Sequence, residues 1–165
     1  MFKIIRISLL SIFLTVFGTS FSQCPQPDQV LRPDYKDGWG DNSQSKTGSL
    51  RPGDTYEMNF IAQAGLKYRI TLLSGVGQFT DENIDFQLVG SEVNKVEEKG
   101  KMVYKRQEFV YFDSRNQAEG EKMTFSTPKT RKLKLKMQLN GVEDTKLVQC
   151  VIVFVETKRE LQVGF

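Results

Sequence analysis

Arg131–Leu139 reads RKLKLKMQL. Leu133, Leu135, Met137 and Leu139 alternate with Lys132, Lys134, Lys136 and Gln138. Successive side chains of a β-strand point to opposite faces, so this segment has one apolar face and one basic face. A helix would scatter both sets around its circumference. The same period of two recurs upstream. Tyr56, Met58, Phe60 and Ala62 alternate with Glu57, Asn59, Ile61 and Gln63, and Tyr68, Ile70 and Leu72 alternate with Lys67, Arg69 and Thr71. The turn around Gly65 predicts that these two strands form a hairpin-like pair. Ile84, Phe86 and Leu88 give a further strand, Met102–Asp113 has strand composition, and Met123 and Phe125 make a short strand stopped before Pro128. Residues 90–101 extend a strand or form an exposed hairpin tip. Leu147–Val155 is almost wholly apolar, which predicts a strand covered on both faces.

No helical period and no internal repeat accompanies this pattern. The expected fold is all-β, an antiparallel, jelly-roll-like β-sandwich of about seven to nine strands. A small β-barrel is the alternative closure of the same strands. Residues 48–165 form this domain, with Leu133–Leu139 and Leu147–Val155 on facing parts of one core. Residues 23–47 carry Pro25, Pro27 and Pro33 and no apolar period, and read as an extended arm and loop. Trp39, the single tryptophan, lies between Gly38 and Gly40. It is expected to plug one end of the core; a solvent-facing sugar platform is the sharper alternative.

The N-terminus has the parts of a cleaved secretory signal over residues 1–22. Lys3 and Arg6 precede the apolar core Leu9–Phe17, and Ser20 and Ser22 stand at the −3 and −1 places of a cut before Gln23. The apolar core is shorter than the roughly 20 residues of a membrane span, and no second such stretch follows. The mature chain is then one domain without a transmembrane span. Its net charge falls to about +1, too small to imply nucleic acid as partner. Export permits a disulfide, and two cysteines allow one pairing, Cys24–Cys150. Lipidation of Cys24 is the alternative. A lipobox resembles Leu-x-Gly/Ala/Ser-Cys, whereas this chain has Phe21-Ser22-Gln23-Cys24, and glutamine is unsuited to the small position.

Histidine is absent, which removes the commonest general base and serine–histidine or cysteine–histidine machinery. Two distant cysteines make no zinc site, and no phosphate-binding glycine loop is present. A carboxylate-pair hydrolase remains open in principle, but none of the 20 acids is singled out as a pair. Asp81, Glu82 and Asp85 offer a weak calcium-binding pattern without the spacing of a calcium loop. Lys132, Lys134 and Lys136 form a basic strip for acidic polysaccharide, lipid headgroups or a protein. The bland reading is a solvated face protecting a strand edge, neutralised by acids such as Glu108 or Glu156. Strict alternation sets Phe109 and Tyr111 on one face and Tyr104, Val110 and Phe112 on the other.

Pro52–Leu73, PGDTYEMNFIAQAGLKYRITLL, resembles the paired-strand motif of bacterial secreted pre-peptidase C-terminal-type modules. With NSQSK upstream it is also similar to small uncharacterised exported proteins of Gram-negative bacteria. The resemblance covers about a quarter of the mature chain. It implies a β-sandwich with a non-catalytic accessory role and no transferable site residues. Together these readings lead to the expectation of an exported, periplasmic, cell-surface or secreted protein without enzyme activity or cofactor. It would bind or scaffold a protein or glycan of the cell envelope or exterior, with Trp39, Lys132, Lys134 and Lys136 as candidate contacts. A small-ligand carrier with a barrel cavity is the second class.

Overall fold

A computed structural model describes residues 24–116, 123–141 and 146–160. The expected signal sequence and its cut before Gln23 lie outside the described residues. The chain is an antiparallel β-sandwich of two sheets, not a closed barrel. Among the described residues it has ten strands, β1 (Gly40–Asp41), β2 (Lys46–Leu50), β3 (Thr55–Ala62), β4 (Leu66–Val76), β5 (Gln78–Thr80), β6 (Ile84–Glu98), β7 (Lys101–Asp113), β8 (Met123–Ser126), β9 (Arg131–Leu139) and β10 (Gln149–Arg159). A single turn of helix, α1, spans Pro27–Val30. The first sheet is built on the central pair β10–β4, with β1 and β2 along β10 and β5 and β8 along β4. The second sheet runs β3-β9-β6-β7.

The expected hairpin of β3 and β4 does not form. β3 pairs with β9 and β4 pairs with β10, so the turn at Gln63–Gly65 carries the chain from one sheet to the other. The hydrophobic alternation was sound, but alternation fixes a strand's buried face and says nothing about its neighbour. Tyr68 Oη anchors the crossing by accepting a hydrogen bond from Gln63 N at 2.7 Å. Its ring packs edge-on to Phe60, centroids 5.1 Å apart, and stacks on Phe125 at 5.4 Å.

The core lies between the sheets. Met58 and Phe60 of β3, Leu133, Leu135, Met137 and Leu139 of β9, and Ile84 and Leu88 of β6 face Ile70 and Leu72 of β4 and Val151, Val153 and Val155 of β10. Each side chain removed from water contributes about 1.5–3 kcal/mol. β10 is apolar on both faces because both are covered. Val151, Val153 and Val155 enter the core; the opposite parity, Cys150, Ile152, Phe154 and Glu156, belongs to the outer face, and Ile152, Phe154 and Glu156 are buried there as well.

The covering of that outer face is the N-terminal arm, which is more structured than an extended loop. It holds α1, a short 3₁₀ turn at Tyr35–Asp37 and strand β1, and it runs into β2. Cys24 is disulfide-bonded to Cys150, Cα atoms 5.4 Å apart. Thr47 Oγ1 donates to Pro25 O, and Lys158 Nζ donates to Asp37 O. Trp39 is buried, and the Arg69 guanidinium lies 4.5 Å from its ring centroid. Arg69 in turn makes a two-pronged pair with buried Glu156, at 2.6 and 2.5 Å, and Asp34 N donates to the same carboxylate at 3.1 Å. Arg69 and Glu156 face each other across β4 and β10, so the arm is clamped over a charged cross-strand pair.

Candidate functional site: a basic cleft beside a long hairpin

β7 pairs with β6 from end to end, from Gln87↔Asp113 to Glu98↔Lys101. Lys99 and Gly100 both have positive φ, 50° and 75°, which suits a two-residue hairpin turn that follows the strand twist. β9 pairs with β6 only from Ile84↔Leu139 to Gly90↔Leu133. Beyond Gly90 the hairpin therefore leaves the sheet as a two-stranded arm. Residues 90–101 do both things expected of them as alternatives: they extend the strands and supply the hairpin tip.

The departure has a local cause. The register of β6 and β7 shifts between Leu88 and Val89, which leaves Tyr111 as the extra residue of a β-bulge. The bulge breaks strict alternation. Phe112 turns to the core side and stacks on Phe86 at 5.2 Å, while Phe109 lies opposite Gly90 on that same side. Tyr104 and Val110 share the outer face. The sequence expectation that set Phe112 on the face of Tyr104 and Val110 fails for this reason, whereas Tyr111 stays on the side of Phe109, its ring over Gly90. The Tyr111 ring occupies the space a side chain at Gly90 would need: a Cβ would stand 2.3 Å from Tyr111 Cε2 and 3.0 Å from Leu133 Cδ2, so the ring would have to move.

Between the departing hairpin and the start of β9 lies an open cleft of about 860 Å³. Arg106, Lys129, Arg131, Lys132 and Lys134 line it, against two acids, Glu92 and Glu108. Asn59, Asn94 and Tyr111 complete the polar wall. Arg131 bridges the cleft to Glu92 and to Tyr111 Oη, which fixes the hairpin against β9. Its Nε has no hydrogen-bond partner.

The lysine strip lies where alternation placed it, on the outer face opposite Leu133, Leu135 and Met137. Lys134 pairs with Glu57 at 3.0 Å, and that carboxylate raises the lysine pKa above its ordinary value. Lys136 reaches Glu108 at 3.3 Å. Glu108 thus does partly neutralise the strip, while Glu156 is committed to Arg69 in the other sheet. Lys132 has no ion pair among the described residues. Lys132 and Lys134 enter the cleft and Lys136 does not.

The other sequence candidates lie elsewhere. Trp39 is buried under Arg69 in the first sheet, so it offers no exposed platform and does not meet the strip. Cys24 and Cys150 are structural. Asp81, Glu82 and Asp85 do not assemble: among the described residues no three metal-ligating side chains come together, and Asp85 accepts a hydrogen bond from Asn140. Lys129, Arg106 and Glu92 went unsingled in the sequence, and Tyr111 was read only as part of an aromatic strand. Lys129 stands two residues before Arg131 and could have been read with the strip, but Arg106, Glu92 and Tyr111 reach the cleft only through the bulged hairpin.

No family model matches the chain, and none of the curated proteins is similar to it. Among the described residues, no helix is long and apolar enough to cross a membrane.

Proposed function

We propose that the chain is an exported, non-catalytic binding protein of the bacterial cell envelope or exterior whose basic cleft receives an acidic glycan. The observation that carries this reading is the cleft's lining: five cations against two carboxylates, with asparagine amides and a tyrosine between them. Cations attract carboxylate, sulfate or phosphate groups, amides match hydroxyls, and an aromatic ring suits a sugar's apolar face. The disulfide fits an oxidising compartment, and with the signal-like N-terminus it supports export. The likeness of Pro52–Leu73 to accessory modules agrees with a role without catalysis. Both cleft acids are already engaged by cations, Glu92 by Arg131 and Glu108 by Lys136, and histidine is absent. A carrier role has less support, because the apolar recess beside Gly48, Tyr56 and Val151 holds only about 10 Å³, room for no more than one water.

The test is calorimetric titration of the mature protein with polygalacturonate and with neutral dextran, at low and high salt. The expected outcome is binding of the polyanion only, weakened steeply by salt. Changing Lys129, Lys132 and Lys134 together to glutamine should weaken it by about tenfold or more. Absence of polyanion binding, or equal binding by the triple variant, overturns the reading.

A further inference from the structure

β7 is the terminal strand of the second sheet, and among the described residues no strand covers its outer edge. An antiparallel ladder turns the N–H and C=O of every second residue away from its neighbour, so this edge presents a row of unpaired backbone groups. The other edge of the same sheet is treated differently. On β3, the side chain of Gln44 imitates a strand, its Oε1 accepting from Ile61 N at 2.7 Å and its Nε2 donating to Ile61 O at 3.0 Å. β7 has no such cover, and its side chains Met102, Tyr104 and Val110 are more than half exposed.

We propose that the edge of β7 pairs with β7 of a second copy of this chain, across a two-fold axis at Gln107. A two-fold axis perpendicular to the sheet keeps each face continuous and makes the pairing self-complementary. It must pass through a residue, because an axis between residues would set an outer-face side chain opposite an inner-face one. Centred on Gln107, the register sets Arg106 opposite Glu108 of the second copy and Glu108 opposite its Arg106. It also sets Tyr104 opposite Val110, with all of these side chains on the outer face. Opposite charges and aromatic–β-branched pairs are the favourable cross-strand combinations. Moving the centre by one residue sets Arg106 against Arg106, or Glu108 against Glu108. The sequence KRQEFV therefore selects one register. Edge pairing would join two four-stranded sheets into one of eight strands.

The experiment is sedimentation equilibrium on the mature, oxidised protein over a range of concentrations. A concentration-dependent dimer is expected. Arg106→Glu alone, or Glu108→Arg alone, places like charges opposite each other twice and should weaken the dimer by roughly tenfold or more. The double exchange, Arg106→Glu with Glu108→Arg, should restore it. A second variant reads the axis directly. Paired Cα atoms across an antiparallel ladder are about 4.5–5.5 Å apart, within disulfide reach. Gln107→Cys should therefore cross-link to a covalent dimer under mild oxidation, and the β6 control Lys95→Cys should not. Because Arg106 and Glu108 also border the cleft, mass and cross-linking are read, and failure here leaves the glycan reading untouched. A protein monomeric up to about millimolar concentration, near the weak limit of specific association, overturns the proposal. So do single exchanges that dimerise as the parent does, a double exchange that stays monomeric, or equal cross-linking of the two cysteine variants.

Discussion

At the scale of the residue, the charges that matter most for stability are the ones sequence inspection set aside. Glu156 was considered as a neutraliser of the lysine strip. It is instead buried beneath the arm, where it holds Arg69, accepts from Asp34 N, and so fixes the cation over the Trp39 ring. Removing one partner of a buried pair leaves the other uncompensated. Glu156→Ala should therefore cost about 3 kcal/mol, read from urea unfolding, with Trp39 fluorescence reporting the loosened arm. Asp113 gives a pH-dependent counterpart. Arg115 binds it through Nε at 2.9 Å and through its terminal nitrogen at 2.6 Å, and Gln87 adds an amide at 2.7 Å. These bonds, the Arg115 pair first, hold its carboxyl well below the usual range despite burial. A carboxyl depressed in the folded state stabilises the fold above its unfolded pKa of about 4 and loses that contribution as pH falls toward the folded value. Asp113→Asn should thus destabilise the protein at pH 7, and the difference from the parent should shrink below about pH 4, as seen by thermal unfolding across pH.

At the scale of the element, alternation was the legible quantity and pairing was not. The period of two in Tyr56–Ala62, Tyr68–Leu72 and Leu133–Leu139 identified three strands and their buried faces. The two-sided burial of β10 could be read from the unbroken apolar stretch Cys150–Val155, which leaves no face for water, while Leu147 and Val148 before the strand are exposed. Which strand lies beside which is decided by contacts far apart in the chain, and so β3 and β4 were joined by a turn that in fact changes sheets. The bulge at Tyr111 was equally hidden, since one extra residue leaves the composition unchanged while reversing every later side chain. The cleft was therefore only half readable: its lysines come from a regular strand, its remaining walls from an irregular one. The Cys24–Cys150 bond, by contrast, followed from a count of two. It ties the arm to β10 across 126 positions of chain. The chain-entropy estimate for such a loop is about 5 kcal/mol. Cys24→Ser with Cys150→Ser should lower unfolding stability by up to this amount, measured by denaturant titration of oxidised and cysteine-free protein.

At the scale of the whole molecule, the two sheets divide the work. The first has the core on one side and, over β10, the arm on the other. The second has its apolar face in the core and its outer face open, where the strip, the cleft and the free edge of β7 all lie. Binding is thus proposed for the sheet whose surface is left uncovered, while the sheet with the disulfide supplies rigidity. β9 and β10 run through the middle of the two sheets, yet each follows all of its partners in chain order. A ribosome delivers the chain from its N-terminus, so β3, β4 and β6 emerge before the strands that must lie between or beside them. Assembly of both sheets then awaits the last third of the chain, a pattern of distant contacts that folds slowly. Until β10 arrives, Cys24 is a thiol without its partner, open to exchange with any oxidant it meets. Closure of the disulfide would therefore report, as a chemical timestamp, that the final strand has been threaded into place.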